Sequence, residues 1–197
     1  MSLSVYQFKI VLEDTHPLIW RRIIVPESYS FWDLHVAIQD SMGWMDCHLH
    51  SFQIRDTKEN KAIMIGIPDD DFMDDEFEIL AGWLISIKKY FISEGTQLEY
   101  IYDFGDDWVH KITLEKIMPE SPEMKYPTCI AGEYACPPED CGGTPGYAEL
   151  LEILKNPKHE EYDEMIDWIG KDFDPDEFHV DDIVFDDPKR RFKRMKK

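Results

Sequence analysis

Leu98-Glu99-Tyr100-Ile101-Tyr102-Asp103-Phe104-Gly105-Asp106-Asp107-Trp108-Val109-His110-Lys111-Ile112-Thr113-Leu114 reads as two strands joined by a turn. Apolar residues alternate before the turn, and Trp108, His110, Ile112 and Leu114 share the inner face after it, since successive side chains of a strand point to opposite faces. Phe104-Gly105-Asp106 carries the turn chemistry. The turn also gathers Asp103, Asp106 and Asp107 beside His110, with Tyr102 and Trp108 at its shoulders. A hairpin of this kind implies an antiparallel sheet, and its crowded polar groups mark a candidate site.

Working toward the N-terminus, Cys47-His48-Leu49-His50-Ser51-Phe52-Gln53-Ile54 puts His48 and His50 on one face if the segment is a strand. Their Cα atoms would then lie ~7 Å apart, close enough for both imidazoles to reach one metal. Plainer still, they form the wetter end of a core-facing strand. Ser30 has the position of an N-cap, Asp33 adds an acid to the first turn, and Phe31, Leu34, His35, Ile38 and Met42 recur at helical spacing until Gly43. His35 on that stripe reads as a hydrogen-bonded histidine at the core edge. Leu3 to Leu12 and Leu18 to Val25 read as a further strand pair joined by a loose connection.

Toward the C-terminus, prolines at 119, 122 and 127 make Met118 to Thr128 a loop. Thr144 and Pro145 are expected to start a helix as N-cap and first-turn proline. His159 to Ile169 reads as another helix closed by Gly170, and Val180 to about Arg194 as a last one weakened by Pro188. Ile79 to Phe91 keeps neither a strand nor a helix period. The fold class is therefore α+β: one domain over residues 1–188, a mainly antiparallel sheet with helices packed on one face and a helical C-terminal part.

Charge narrows the function classes. Across 197 residues, 41 acids face 21 bases, a net charge of −20, which repels nucleic acid and anionic membranes. Seven of those bases fall in the tail 189–197, and the remaining 14 leave a body still more acidic. Nucleic acid is reachable only through that tail, which reads more simply as a helix end or as a strap over the acidic body. The acidic run Asp69 to Glu78 lacks the spacing of a calcium loop. No stretch approaches the ~20 apolar residues of a membrane span, and Met1 to Ile10 lacks signal-peptide features. A cytoplasmic location is expected, with Cys47, Cys129, Cys136 and Cys141 reduced. Their spacing contains no C-x2-C pair, which argues against structural zinc.

Pro17-Leu18-Ile19-Trp20-Arg21-Arg22, Asp33-Leu34-His35, Gly43-Trp44, His48-Leu49-His50-Ser51-Phe52, Tyr102 to His110, Pro137-Pro138-Glu139-Asp140-Cys141-Gly142-Gly143 and Gly146-Tyr147 follow one another in this order. In that succession the chain resembles the plasmid pRiA4b ORF-3-like protein family, from about residue 3 to 185. The resemblance implies kinship with mobile-element proteins, some labelled resolvases or fused to DNA-binding regions. This chain has neither room for an added helix-turn-helix nor a resolvase's serine context. Two readings follow. In the first, the protein is a non-catalytic interaction module: Asp103, Asp106 and Asp107 shape the turn, Tyr102 and Trp108 pack, and an exposed face meets a protein partner. In the second it is a metal-dependent hydrolase. His48, His50, Asp103, Asp106 and His110 would hold Zn, Mn or Fe, with Glu139 or Asp140 as the proton acceptor.

Overall fold

In the computed structural model residues 3–56, 61–68 and 79–196 are described, and the acidic run Asp69 to Glu78 lies outside them. The alternation at the N-terminus produces β1 (Ser4–Leu12), which turns back into β2 (Trp20–Pro26). Tyr6, Phe8, Ile10 and Leu12 are all buried. The opposite face stays polar: Arg22 of β2 makes a two-pronged contact with Glu115 at 2.6 and 2.9 Å, and Gln7 donates to the same carboxylate. One apolar and one wet face are what a half-covered antiparallel sheet requires.

Helix α1 (Phe31–Met42) covers the apolar face. Ser30 caps it: its side chain accepts from the Asp33 backbone N–H, and the Asp33 carboxylate accepts from the Ser30 backbone N–H, a reciprocal box that satisfies two orphan donors. Gly43, with φ +99°, ends it. Phe31 sets its ring 4.9 Å from Phe52 on the sheet.

The sheet continues through β3 (His50–Asp56), β4 (Lys61–Gly66), β5 (Ile79–Ala81), β6 (Gln97–Tyr102), β7 (Trp108–Pro119) and β8 (Thr128–Glu133). Its order is β5-β4-β3-β6-β7-β1-β2-β8, with every pair antiparallel except β4 and β5. The expected hairpin is β6 and β7, with Tyr102 opposite Trp108 and Tyr100 opposite His110. Ile79 to Phe91 resolves into β5 and two 3-10 turns, Gly82–Leu84 and Ile87–Lys89, which explains why it shows no steady period.

Four expectations need correction. β7 runs to Pro119, and the proline-rich loop gives way at Thr128 to β8, an edge strand too mixed in burial to announce itself. Helix α2 (Gly143–Leu154) is capped at Gly142, so Thr144 and Pro145 already lie inside it. Helix α3 (Tyr162–Ile169) starts three residues later than its apolar pattern suggests. Pro188 does not weaken a last helix but opens it: α4 (Pro188–Met195) has Asp187 as N-cap and proline in the first turn, where its missing N–H is harmless.

The basic stretch 189–195 thus becomes α4, laid against α1. Trp32 donates from Nε1 to the Pro188 carbonyl at 3.0 Å and meets the Phe192 ring at 5.5 Å. Arg191 reaches Asp40 at 2.5 Å, and Arg190 and Arg194 both pair with Asp186. No helix among the described residues is long and apolar enough to cross a membrane.

Candidate metal centre

Three segments meet at one end of β3, β6 and β7: residues 44–49 leading into β3, the turn 103–107, and the loop 137–143 before α2. Asp103 ties the first two together. Its N–H donates to the Leu49 carbonyl at 2.9 Å, its own carbonyl accepts from Asp107 N–H at 2.7 Å, and its Oδ1 accepts from Gly105 N–H at 2.9 Å. With Oδ1 thus engaged in the turn, Oδ2 is left to face His48. Asp103 and Asp140 both adopt left-handed backbone angles, φ +56° and +58°, which aspartate tolerates better than most residues.

The third segment is pinned from both sides. Trp44 Nε1 donates to the Pro137 carbonyl at 3.0 Å, and Gly142 N–H donates to Asp106 Oδ2 at 3.1 Å. A Cβ on Gly143 would stand 2.4 Å from the Asp106 carbonyl oxygen, so only glycine allows this approach. Glu139 accepts at Oε1 from Met45 N–H (2.8 Å) and from the Tyr102 hydroxyl (3.0 Å). The Tyr102 oxygen in turn accepts from Cys47 N–H at 3.0 Å. Burial first, and the neighbouring Glu139 charge second, push this phenol well above its ordinary range, so it remains a donor.

Into this frame comes His48. Its Nε2 lies 3.1 Å from Asp140 Oδ1, 3.6 Å from Asp103 Oδ2 and 3.8 Å from Glu139 Oε2. That nitrogen is shut off from solvent, and its 3.1 Å approach to Asp140 is an ion-pair contact without the alignment of a hydrogen bond. One ligand atom each from His48, Asp103 and Asp140 lie within 4.8 Å of one another, the group among the described residues able to hold a metal ion. Asp140 is 72% exposed and leaves the group open on one side. One imidazole with several carboxylates is a donor set suited to Zn, Mn or Fe.

The other sequence candidates lie outside this group. His48 sits in the bend before β3, so the strand rule that would align it with His50 does not apply. His50 turns into the core and stacks on His35 with ring centroids 3.5 Å apart and planes 7° apart. Burial, and then His35, hold its pKa well below the ordinary histidine range. His110 is also buried: Nδ1 faces the Trp108 carbonyl at 2.9 Å and must carry the proton, which leaves Nε2 without a partner. Its pKa is lowered to about 4, chiefly by burial. Asp106 braces the 137–143 loop, and Trp108 is fully buried.

His35 is the satisfied core histidine its position suggested. Asp46 is acceptor-only, so His35 Nε2 donates to it at 2.8 Å, and Nδ1 receives the Tyr100 hydroxyl at 2.9 Å. All four cysteines are free thiols. Burial pushes Cys141 up to about 12 and raises Cys136 as well, so neither is a ready thiolate.

A family model described as plasmid pRiA4b ORF-3-like protein matches residues 4–182. The chain belongs to that family. Uncharacterized protein y4hQ of Sinorhizobium fredii is 34% identical over 175 residues, 88% of this chain and 86% of its own length. The crystal structure of MM3350 from Methanosarcina mazei Go1, a protein of unknown function, is similar with a TM-score of 0.82 at 41% identity, covering 94% of this chain and all of that one. The pRiA4b ORF-3-like fold is thus shared with a solved relative, and neither relative's name carries an activity.

Proposed function

We propose that the protein is a divalent-metal-binding module of the cytoplasm, with His48, Asp103 and Asp140 as protein ligands. The observation that carries this reading is the His48 Nε2 atom, sheltered and without a hydrogen bond, faced by carboxylate oxygens from two other segments. A buried imidazole nitrogen lacking a partner is costly, and a metal ion would satisfy it while balancing the adjacent acids. The open side would leave positions for water or a ligand, as in catalytic rather than structural sites. The four free thiols accord with a reducing compartment. Exposed Met45 and Phe104, on the segments that carry the ligands, are where a protein partner would meet the centre. Nucleic acid would have only α4 to meet, and the net charge of −20 opposes a long polyanion there.

Calorimetric titration of chelator-treated protein with Zn²⁺, Mn²⁺ and Fe²⁺ tests the reading. At least one ion should bind at a single site, and at a hundredfold excess over Kd it should stabilise the fold by about 2.7 kcal/mol. Asp103→Asn and His48→Ala should each weaken binding tenfold or more. A wild-type protein indifferent to all three ions and to EDTA would remove the proposal.

One observation favours a second, hydrolytic reading. Glu139 takes Met45 N–H and the Tyr102 hydroxyl on Oε1 and turns Oε2, 3.2 Å from the same hydroxyl, toward His48, where it could accept a proton from a metal-bound water. Glu139→Gln should then abolish turnover of 4-nitrophenyl phosphate while the metal stays bound. Equal turnover in both proteins, or none in the loaded wild type, would exclude this use of Glu139.

A further inference from the structure

A cavity of about 470 Å³ opens beside His48, walled on one side by α4 and on the other by residues 45–49. Its size falls within the range of small-molecule sites. Trp32, Ile67 and Met195 give it apolar walls, while His48, Arg191 and Arg194 supply the polar ones. Buried polar atoms without partners are few among the described residues, and two of them, Arg191 Nη1 and His48 Nε2, belong to residues lining this one cavity. Each faces a carboxylate without a hydrogen bond to it, His48 Nε2 at 3.1 Å from Asp140 Oδ1 and Arg191 Nη1 at 3.6 Å from Asp46 Oδ2, so an added oxyanion or metal-held group would complete both. Of the two carboxylates that also line the cavity, Asp46 accepts from His35 at Oδ1 and faces Arg191 with Oδ2, and Asp186 pairs with Arg190, Arg191 and Arg194. Arg194 is 61% exposed at the rim, so its remaining donors are free to turn inward.

We propose that this cavity binds a small organic oxyanion, a phosphate monoester or a carboxylate with an apolar body, held between the α4 guanidinium groups and the metal at His48. The inference rests on the metal reading for one of its two anchors. Guanidinium groups bind such oxygens through paired, charge-assisted hydrogen bonds, and the indole of Trp32 with Ile67 and Met195 would take the apolar body. A phosphate and a carboxylate share this chemistry, and the two are separated by direct comparison.

The test is titration of phenyl phosphate, phenylacetate and inorganic phosphate into the full chain, with and without Mn²⁺. Manganese-loaded protein should bind one of the two phenyl compounds, and the preferred one names the class. Arg194→Ala and Met195→Trp, the latter filling the mouth with an indole, should each weaken that binding about tenfold with manganese still bound. Metal-free protein should bind the same compound more weakly but measurably, because the arginines remain. That arm upholds the cavity even if no metal binds. Loaded protein that binds neither phenyl compound, binding untouched by both variants, or inorganic phosphate binding as tightly as the phenyl compounds would overturn the proposal.

Discussion

Among single residues, Tyr102 does most to connect the site. Its hydroxyl gives a hydrogen bond to Glu139 and takes one from Cys47 N–H, so it links the segment before β3 to the loop before α2. Tyr102→Phe strands both partners. Denaturant titration should show a loss of about 1–3 kcal/mol, and metal affinity should fall because the loop carrying Asp140 loses a brace. Unchanged stability would mean that water replaces the hydroxyl at no cost. The motif around Tyr102 to Trp108 was legible because its residue types are unusual together. The difference between His48 and His50 was not. Two positions apart, they look equivalent in a strand pattern, and only the exact start of β3 sends one to the acids and the other onto His35. Arg191 was visible as one cation among seven, but nothing in a local pattern names Asp40, about 150 positions earlier, as its partner.

Among elements, the loop 137–143 is the part that turns a hairpin end into a centre. It approaches the turn 103–107 so closely at Gly143 and Asp106 that no side chain fits between them. Gly143→Ala combines a left-handed φ of +67°, which costs an L-residue about 1–2 kcal/mol, with a backbone clash. The expected loss is ~2 kcal/mol or more, read by thermal or urea unfolding, together with weaker metal binding as Asp140 moves away from Asp103. A fully stable variant with normal affinity would show that the two segments do not depend on each other. β6 and β7 were readable because burial alternates along them, and α1, β1 and β2 because their apolar residues recur at helical or strand spacing even where their second face is also covered. Pro188 was misread because proline disrupts a helix interior yet suits its first turn, and the difference depends on where the helix begins.

For the molecule as a whole, the buried histidines set the response to acid. His110 has a folded pKa of about 4 against an ordinary 6.5. Above pH 6.5 neither state binds the proton, and stability is complete. Between 6.5 and 4 the unfolded chain takes up a proton that the native state refuses, so stability falls as pH falls, by ~2–3 kcal/mol near pH 4.5. His50, displaced in the same direction, adds to the loss. Urea unfolding at pH 7.5 and 4.5 measures it, and equal stabilities would mean that His110 is reached by protons while folded. The α+β class could be read from the sequence, but the strand order could not, because pairing partners far apart leave no local trace. That order has a consequence for how the protein is made. β1 lies between β2 and β7, with Tyr6 opposite Ile117. On a ribosome the opening hairpin, which ends at Pro26, must therefore wait with both edges bare until β7 at Trp108–Pro119, and then β8 at Thr128–Glu133, have emerged. Assembly of the centre of this sheet is thus a late, cooperative event rather than one that keeps pace with synthesis.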